Sequence, residues 1–283
     1  MFRLEDVSPD LVADWIELTL IYDRNDAEFI SKSELSRVVE AQGRAPDEAY
    51  ISDIFEILNH RQRLYLNNYF RIEGNTIQRI FQGEPPVEYI FCVLLSLYGA
   101  GGGGPKAKLF ERLACCAINK YMKKAYVFGW PYDAVDDSDF NSKIEAVTVQ
   151  MADILNERYN SPPEPHYKDA GIDVVAWEPF NDKRSGQLIL LVQCAAGRNR
   201  WNKTQIPIRR WNQYIHFAIN PSTGFAFPKA MTSACDWHDK SCDYGLLFDR
   251  IRIINLLSDG IDEQELKRDL NSFVEQELTL QLE

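Results

Sequence analysis

At 283 residues the chain is long enough to bury a large core, in one or two domains. Its 45 % hydrophobic and 26 % charged content is that of an ordinary globular protein, and no apolar run reaches the length of a transmembrane helix, so no membrane association is expected. A net charge of −11 and a pI near 5.0 exclude binding to nucleic acid through overall charge, because neutralising phosphates needs cations.

The first residues, MFRLEDVSPD, carry acids early and lack an apolar h-region, so no signal peptide is expected. Cysteines stand at 92, 115, 116, 194, 235 and 242, the first four inside apolar patterns that suit buried free thiols. A reducing, cytoplasmic compartment is the simple reading.

Residues 7 to 99 read as largely helical. After Ser8-Pro9-Asp10, Leu11, Trp15 and Leu18, with Val12 and Ile16 beside them, form a helical stripe. Ser33 to Ala41 and Asp47 to Tyr69 repeat that character, the second through Ile51, Ile54, Phe55 and Leu58. Phe70 to Ile80 suggests a short hairpin turning at Gly74-Asn75, and Pro85-Pro86 opens an apolar helix from Tyr89 to Tyr98. Residues 1–98 are therefore expected to be a helical interaction domain. The segment 99–105, GAGGGGP, reads as a flexible linker. A phosphate-cradling glycine loop is the alternative, although no strand precedes it and no Gly-Lys-Ser/Thr ends it.

Residues 106–283 are expected to form the second domain. It opens with an amphipathic helix from Lys106 to Lys124, a short strand from Tyr126 to Trp130, and a helix from Ser142 to Tyr159 that Ser161-Pro162-Pro163 breaks. Strands at 171–178 and 187–194 follow, then a basic loop. Further strands are expected at Ile215–Ile219 and Gly224–Phe227, a helix from Tyr244 to Leu257, and an acidic helix from Asp262 to Leu280. This order predicts an α+β or α/β fold, a mixed sheet flanked by helices. The turn Asn181–Gly186 is too short for a parallel crossover, so strands 171–178 and 187–194 are expected to be antiparallel neighbours.

The chemistry concentrates in residues 168–197, KDAGIDVVAWEPFNDKRSGQLILLVQCAAG. Asp173 interrupts an apolar strand directly after a glycine turn, and Gln193 ends the next strand. Two neighbouring strands that each deliver an oxygen to one end of a sheet can hold a hard cation, Mg²⁺ or Mn²⁺. The plainer readings are an Asp173 that points to solvent opposite Ile172 and Val174, and a Gln193 that merely caps its strand. From Phe180 to Ile215 there is one acid, Asp182, against seven bases, whereas Ser258 to Glu283 holds eight acids and two bases. Arg198, Arg200, Lys203, Arg209 and Arg210 are thus candidate nucleic-acid contacts, with a solvated basic loop as the alternative.

Asp169, Gly171, Ile172, Asp173 and Gln193 resemble the Asp-Gly-Gly-Ile-Asp and Gln-x-Lys motifs of the PD-(D/E)XK, or restriction-endonuclease-like, superfamily, most of all its Mrr-type branch. The resemblance spans residues 105 to 220. It implies a restriction-endonuclease-like sheet and metal-dependent phosphodiester hydrolysis with Asp173 and Gln193 catalytic. It also implies Asp173, Gln193 and the helix acid Glu111 as metal ligands, Glu111 having a surface position as its alternative. Asp169 either holds the turn or supports the metal.

Where the family's catalytic lysine stands, this chain has Ala195. Lys203 is the first candidate to replace it and Lys168 the second. Arg198 and Arg200 could stabilise phosphate charge but could not act as bases. The family further implies DNA rather than RNA, a prokaryotic anti-phage defence or restriction system, and a protein partner such as an ATPase or helicase subunit. Loss of the lysine implies the alternative, an inactive nuclease-like subunit that binds nucleic acid or a partner.

Two other groups have readings of their own. Cys235, His238 and Cys242 could be a zinc half-site, but their spacing matches no common zinc pattern. Trp201 and Trp211, interleaved with arginines, could stack on bases or pack at a domain edge.

Overall fold

The computed structural model describes residues 8–22, 29–67, 69–81, 83–100, 104–128, 140–167, 170–197, 201 and 203–282. Its helices are α1 (Pro9–Tyr22), α2 (Lys32–Ala41), α3 (Glu48–Leu64), α4 (Val87–Tyr98), α5 (Pro105–Met122), α6 (Phe140–Ile154), α7 (Ile208–Tyr214), α8 (Ala234–Tyr244), α9 (Arg250–Leu256) and α10 (Gln264–Leu282). Its strands are β1 (Phe29–Ser31), β2 (Phe70–Glu73), β3 (Thr76–Arg79), β4 (Lys124–Val127), β5 (Arg158–Tyr159), β6 (Val174–Glu178), β7 (Leu188–Cys194), β8 (Ile215–His216), β9 (Ser222–Ala226) and β10 (Leu246–Phe248).

Local chemistry sets the helix ends. Pro9 and Pro105 open α1 and α5, where a missing N–H costs nothing. Ser31 and Glu34 close a reciprocal capping box on α2, and the Asp47 carboxylate accepts from Tyr50 N on α3. The expected hairpin is β2–β3, turning at Gly74 with φ +57°, and β1 adds to it in the order β1-β3-β2.

The main sheet has five strands in the order β10-β9-β7-β6-β4. The β4–β6 and β6–β7 pairs are antiparallel, and the β7–β9 and β9–β10 pairs are parallel. Helices flank this mixed sheet and a mostly helical N-terminal region precedes it, the fold class that the sequence implies. Strands β6 and β7 are antiparallel in the register Val174↔Val192, as the short turn between them requires.

Side-chain alternation divides the sheet's two faces. Val174, Ala176, Leu190 and Val192 join the larger buried cluster with α1, α4, α5, α9 and α10. Val175, Trp177, Ile189 and Leu191 face the other way, against Met151, Leu155, Trp211 and Tyr214. The larger cluster runs from Val12 to Leu278 and so draws on residues from both sides of the expected 99–105 linker.

Several expected elements differ in detail. The helix expected over Tyr244–Leu257 is instead the end of α8, then β10, then α9. Gly245, at φ +82°, ends α8, and a Cβ there would lie 2.2 Å from the Thr223 carbonyl oxygen. Asp249 then caps α9 by accepting from Arg252 N. Strand β6 starts later than expected because Ala170 and Gly171 both have positive φ. Inside the expected basic loop, residues 208–214 form α7. The expected strand over Ile215–Ile219 is only the short β8, and residues 158–159, expected to be helical, pair with it as β5.

Four charges lie wholly buried between α1, α3 and α9. Arg61 donates to Asp14 at 2.6 Å and to Glu17 at 2.7 Å; Arg250 donates to Asp14 at 2.8 Å and to Glu17 at 3.2 Å. Tyr89 and Ser96 donate to the remaining carboxylate oxygens, and Arg250 Nε donates to the Tyr65 hydroxyl. Burial disfavours the ionised Asp14, but the Arg250 and Arg61 guanidiniums outweigh it and hold its carboxyl down at about 2. A depressed acid contributes stability above its unfolded value of 3.8 that is lost as pH falls toward 2. Acid unfolding should therefore steepen below pH 3.8 in wild type. Arg250→Met, which strands a buried carboxylate, should lower the unfolding free energy by about 3–5 kcal/mol in urea titrations; a loss below about 1 kcal/mol would contradict this account of the cluster.

Candidate functional site

The site forms where β6 begins and β7 ends. Val174 is the first ladder residue of β6, so the Cys194 N–H on the facing strand has run past its ladder partner. The Asp173 carboxylate takes that N–H, Oδ2 accepting at 2.6 Å. Asp173 is itself tied to β7 by donating its N–H to Val192 O at 2.9 Å, and its carbonyl accepts from Phe128 N at 2.7 Å. Held this way, the side chain is 9 % exposed. The solvent-pointing alternative for Asp173 is thereby set aside.

Lys203 reaches the same carboxylate. Its Nζ lies 3.4 Å from Asp173 Oδ2 and also donates to the Cys194 carbonyl. The chain thus returns a lysine ammonium to the strand end, although position 195 is alanine. Ala195 is 3 % exposed and packs with Phe225, Phe227 and Leu247, facing an aromatic cluster.

Glu111 lies on α5, which packs across β6. It is buried, not the surface acid of the alternative reading. Burial, then the negative charge of Asp173, pushes its carboxyl up to about 7, against the opposing pull of Lys108 and Lys203. Lys108, one turn earlier on α5, donates to Glu111 Oε2 at 2.9 Å. Lys108 was not foreseen; its signal is the Lys-x-x-Glu spacing that places both on one helix face.

Gln193 occupies the last turn of the register opposite Asp173. A Cβ on Gly171 would lie 3.2 Å from its Nε2, so a glycine there leaves room for the amide. Its Oε1 is buried and has no hydrogen-bond partner among the described residues. A buried acceptor of this kind calls for an ion, a water or a donor. Val192 and Cys194 on either side of Gln193 face α5, so the Gln193 side chain leaves on the opposite face of the sheet from Glu111, and the expected three-ligand set is not brought together. Asp173 and Glu111 remain as hard carboxylate donors, which suit Mg²⁺ or Mn²⁺ rather than zinc. Magnesium is commonly held by one or two carboxylates plus waters, so the residues present fit such an ion. Among the described residues no group of three or more His, Cys, Asp or Glu is arranged to hold a metal.

The other candidates are less converged. Arg209 is exposed on α7, and the Arg210 guanidinium lies 3.7 Å from the centre of the Tyr167 ring. Lys168, Asp169, Arg198 and Arg200 lie outside the described residues, as do residues 101–103 of the glycine segment. Cys235, His238 and Cys242 share the exposed helix α8, with Cys242 Sγ 3.8 Å from His238 Nε2. Both tryptophans pack instead of presenting free faces: Trp201 stacks on Phe225, and Trp211 donates its Nε1–H to Ala170 O at 3.3 Å. No helix among the described residues is long and apolar enough to cross a membrane.

No protein-family model matches the chain, and no curated protein sequence matches it. Among solved structures, a match is found to the restriction endonuclease FokI, at 8 % identity and a TM-score of 0.22, covering 92 % of this chain and 46 % of that one. The chain thus spans less than half the length of that protein.

Glu111 gives this geometry a pH signature. Its folded value lies above the ordinary 4.5, so its contribution to stability is present below pH 4.5 and lost as pH rises through about 7. In metal-free buffer, Glu111→Gln should match wild type below pH 4.5. Above pH 7 it should gain on the order of 1–2 kcal/mol over wild type in urea unfolding, after allowance for solvent screening. A stability difference that does not change with pH would show that burial and the Asp173 charge do not raise the Glu111 carboxyl.

Proposed function

We propose that this protein is a metal-dependent nuclease whose site is the junction of β6, β7 and α5. The observation that supports the reading most is the Lys203 ammonium 3.4 Å from Asp173, on a loop outside the strand where the resemblance would place it. Phosphodiester hydrolysis needs an activated water and a cation for the charge that develops on phosphate. Asp173 and Glu111 would hold Mg²⁺ or Mn²⁺ together with waters, and the ion when bound would supply Lewis-acid chemistry and lower the pKa of a bound water.

The chain's own residues do the rest. Asp173 orients Lys203 while accepting from Cys194 N, so the ammonium is already fixed when substrate arrives. Glu111, whose burial beside Asp173 raises its carboxyl in the metal-free protein, would be held ionised once a cation is bound. Lys203 neutralises charge on the scissile phosphate. Arg209, and Arg198 and Arg200 with it, would meet neighbouring phosphates of the polymer, DNA in the first instance. A defence or restriction setting, with an ATPase or helicase partner, belongs to the same reading and rests on the motif resemblance.

One observation favours a second reading. Lys203 is also a structural cross-link, because it joins Asp173 to the Cys194 carbonyl and so closes the strand end without any substrate. On that reading the protein is a nuclease-like subunit that binds nucleic acid or a partner and does not cut.

The two readings separate in one assay. With Mg²⁺ or Mn²⁺ and single- and double-stranded DNA and RNA, wild type should cut at least one substrate. Asp173→Asn keeps an acceptor for Cys194 N and should fold, yet lose cleavage. Lys203→Ala should cut about 10²–10³-fold more slowly. Arg209→Ala should mainly weaken binding and flatten its salt dependence. Full activity in Asp173→Asn would show that the site lies elsewhere, and a folded wild type that binds but never cuts would favour the second reading.

A further inference from the structure

The arrangement that delivers Lys203 to Asp173 is itself built, and its parts lie on α8 and on β9 inside the sheet. The Tyr244 hydroxyl lies 3.2 Å from the Trp201 carbonyl oxygen and 3.2 Å from the Lys203 carbonyl oxygen. One hydroxyl proton is shared between two carbonyls of the loop, a three-centre bond that fixes where the Lys203 side chain departs. The ring carrying that hydroxyl packs 4.7 Å from Phe225 and 5.6 Å from Trp201. Trp201 lies in turn on Phe225 and Phe227, at 5.3 and 5.2 Å, and the Lys240 ammonium of α8 stands 5.2 Å from its ring.

Tyr244 has little freedom of its own. Gly245 follows it with φ +82° and no room for a side chain against Thr223 of β9, so the end of α8 is seated directly on the sheet. A rigid path therefore runs from β9 through Gly245 and Tyr244 to the backbone of Lys203, and along that side chain to Asp173.

We propose that Tyr244, with the Trp201 ring it packs on, is the clasp that positions Lys203 at the Asp173 carboxylate. Tyr244 touches neither Asp173 nor a reacting atom, so it is a positioning residue. Its catalytic consequence rests on the nuclease reading; its effect on Lys203 does not.

The test is therefore made on the lysine first. Wild-type protein is treated with trace acetic anhydride, and acetylation of Lys203 is measured by mass spectrometry relative to exposed Lys183. The Lys203 side chain is 40 % exposed, so it should react more slowly than Lys183 only because its ammonium is held by Asp173 and the Cys194 carbonyl. Tyr244→Phe keeps the ring and removes only the hydroxyl. It should raise the Lys203 rate about fivefold, the change that loss of one ordinary hydrogen bond allows, with Lys183 unchanged. Where cleavage is measurable, kcat should fall by a similar factor with KM unchanged.

Thermal unfolding and tryptophan fluorescence verify that the variant is folded. Should it not fold, Lys240→Ala decides, since it loosens Trp201 from the protein surface: a rise in Lys203 acetylation supports the clasp and no rise overturns it. Unchanged Lys203 protection in a folded Tyr244→Phe overturns the clasp even if the protein is an active nuclease. Raised acetylation in a protein that never cuts leaves the clasp standing and removes the nuclease reading.

Discussion

The structure depends first on the neutral knot of Asp14, Glu17, Arg61 and Arg250. Two carboxylates and two guanidiniums, all without exposure to solvent, meet where α1, α3 and α9 converge. Such a knot is stable only as a set, because removing one member strands a buried charge. It also joins distant parts of the chain: Arg250 follows Asp14 by 236 residues. Through it the N-terminal helices are closed onto the end of β10. Lys229, which bonds the Asp10 carboxylate at 2.9 Å, and Asp249, which accepts from Met231 N and Arg252 N, extend the polar lining around it. The apolar layer built on this knot then presses α5 against β6 and sets Glu111 beside Asp173.

How much of this was legible in the sequence follows from the range of each signal. Local signals were sufficient for α1 to α4, for the hairpin at Gly74, and for the antiparallel pair β6–β7, whose six-residue turn leaves one topology. Asp173 stood out because a carboxylate interrupts an apolar run. The stretch after Tyr244 misled because Leu247, Ile251 and Ile254 satisfy a helical period, whereas the deciding fact is the closeness of Gly245 to Thr223, a contact across the sheet. The charge knot was invisible for the same reason. Asp14 and Glu17 look like the polar face of an amphipathic helix, and only the positions of Arg61 and Arg250 turn that face inward. Tyr244 carried no motif, since its role lies in two backbone carbonyls that it meets in space.

Position 195 is packed so that it leaves no place for a long cationic side chain. Side chains alternate along β7 into the cluster under α5 and the layer opposite, and just past the strand Ala195 turns toward Phe225, Phe227 and Leu247. A lysine at that position would begin its path inside an aromatic cluster, where an ammonium without partners is costly. Trp201 occupies the outer side of the same cluster and carries the chain on to Lys203. The ammonium therefore approaches Asp173 from the loop side, passing the Cys194 carbonyl, which supplies the hydrogen bond that an aromatic surround could not. The Asp173 carboxylate takes its cation at one oxygen, and packing fixes the point in space from which that cation arrives rather than its place in the sequence. Alanine at 195, tryptophan at 201 and lysine at 203 are on this argument one solution: the aromatic cluster that excludes a lysine from the strand also anchors the loop that returns one to it.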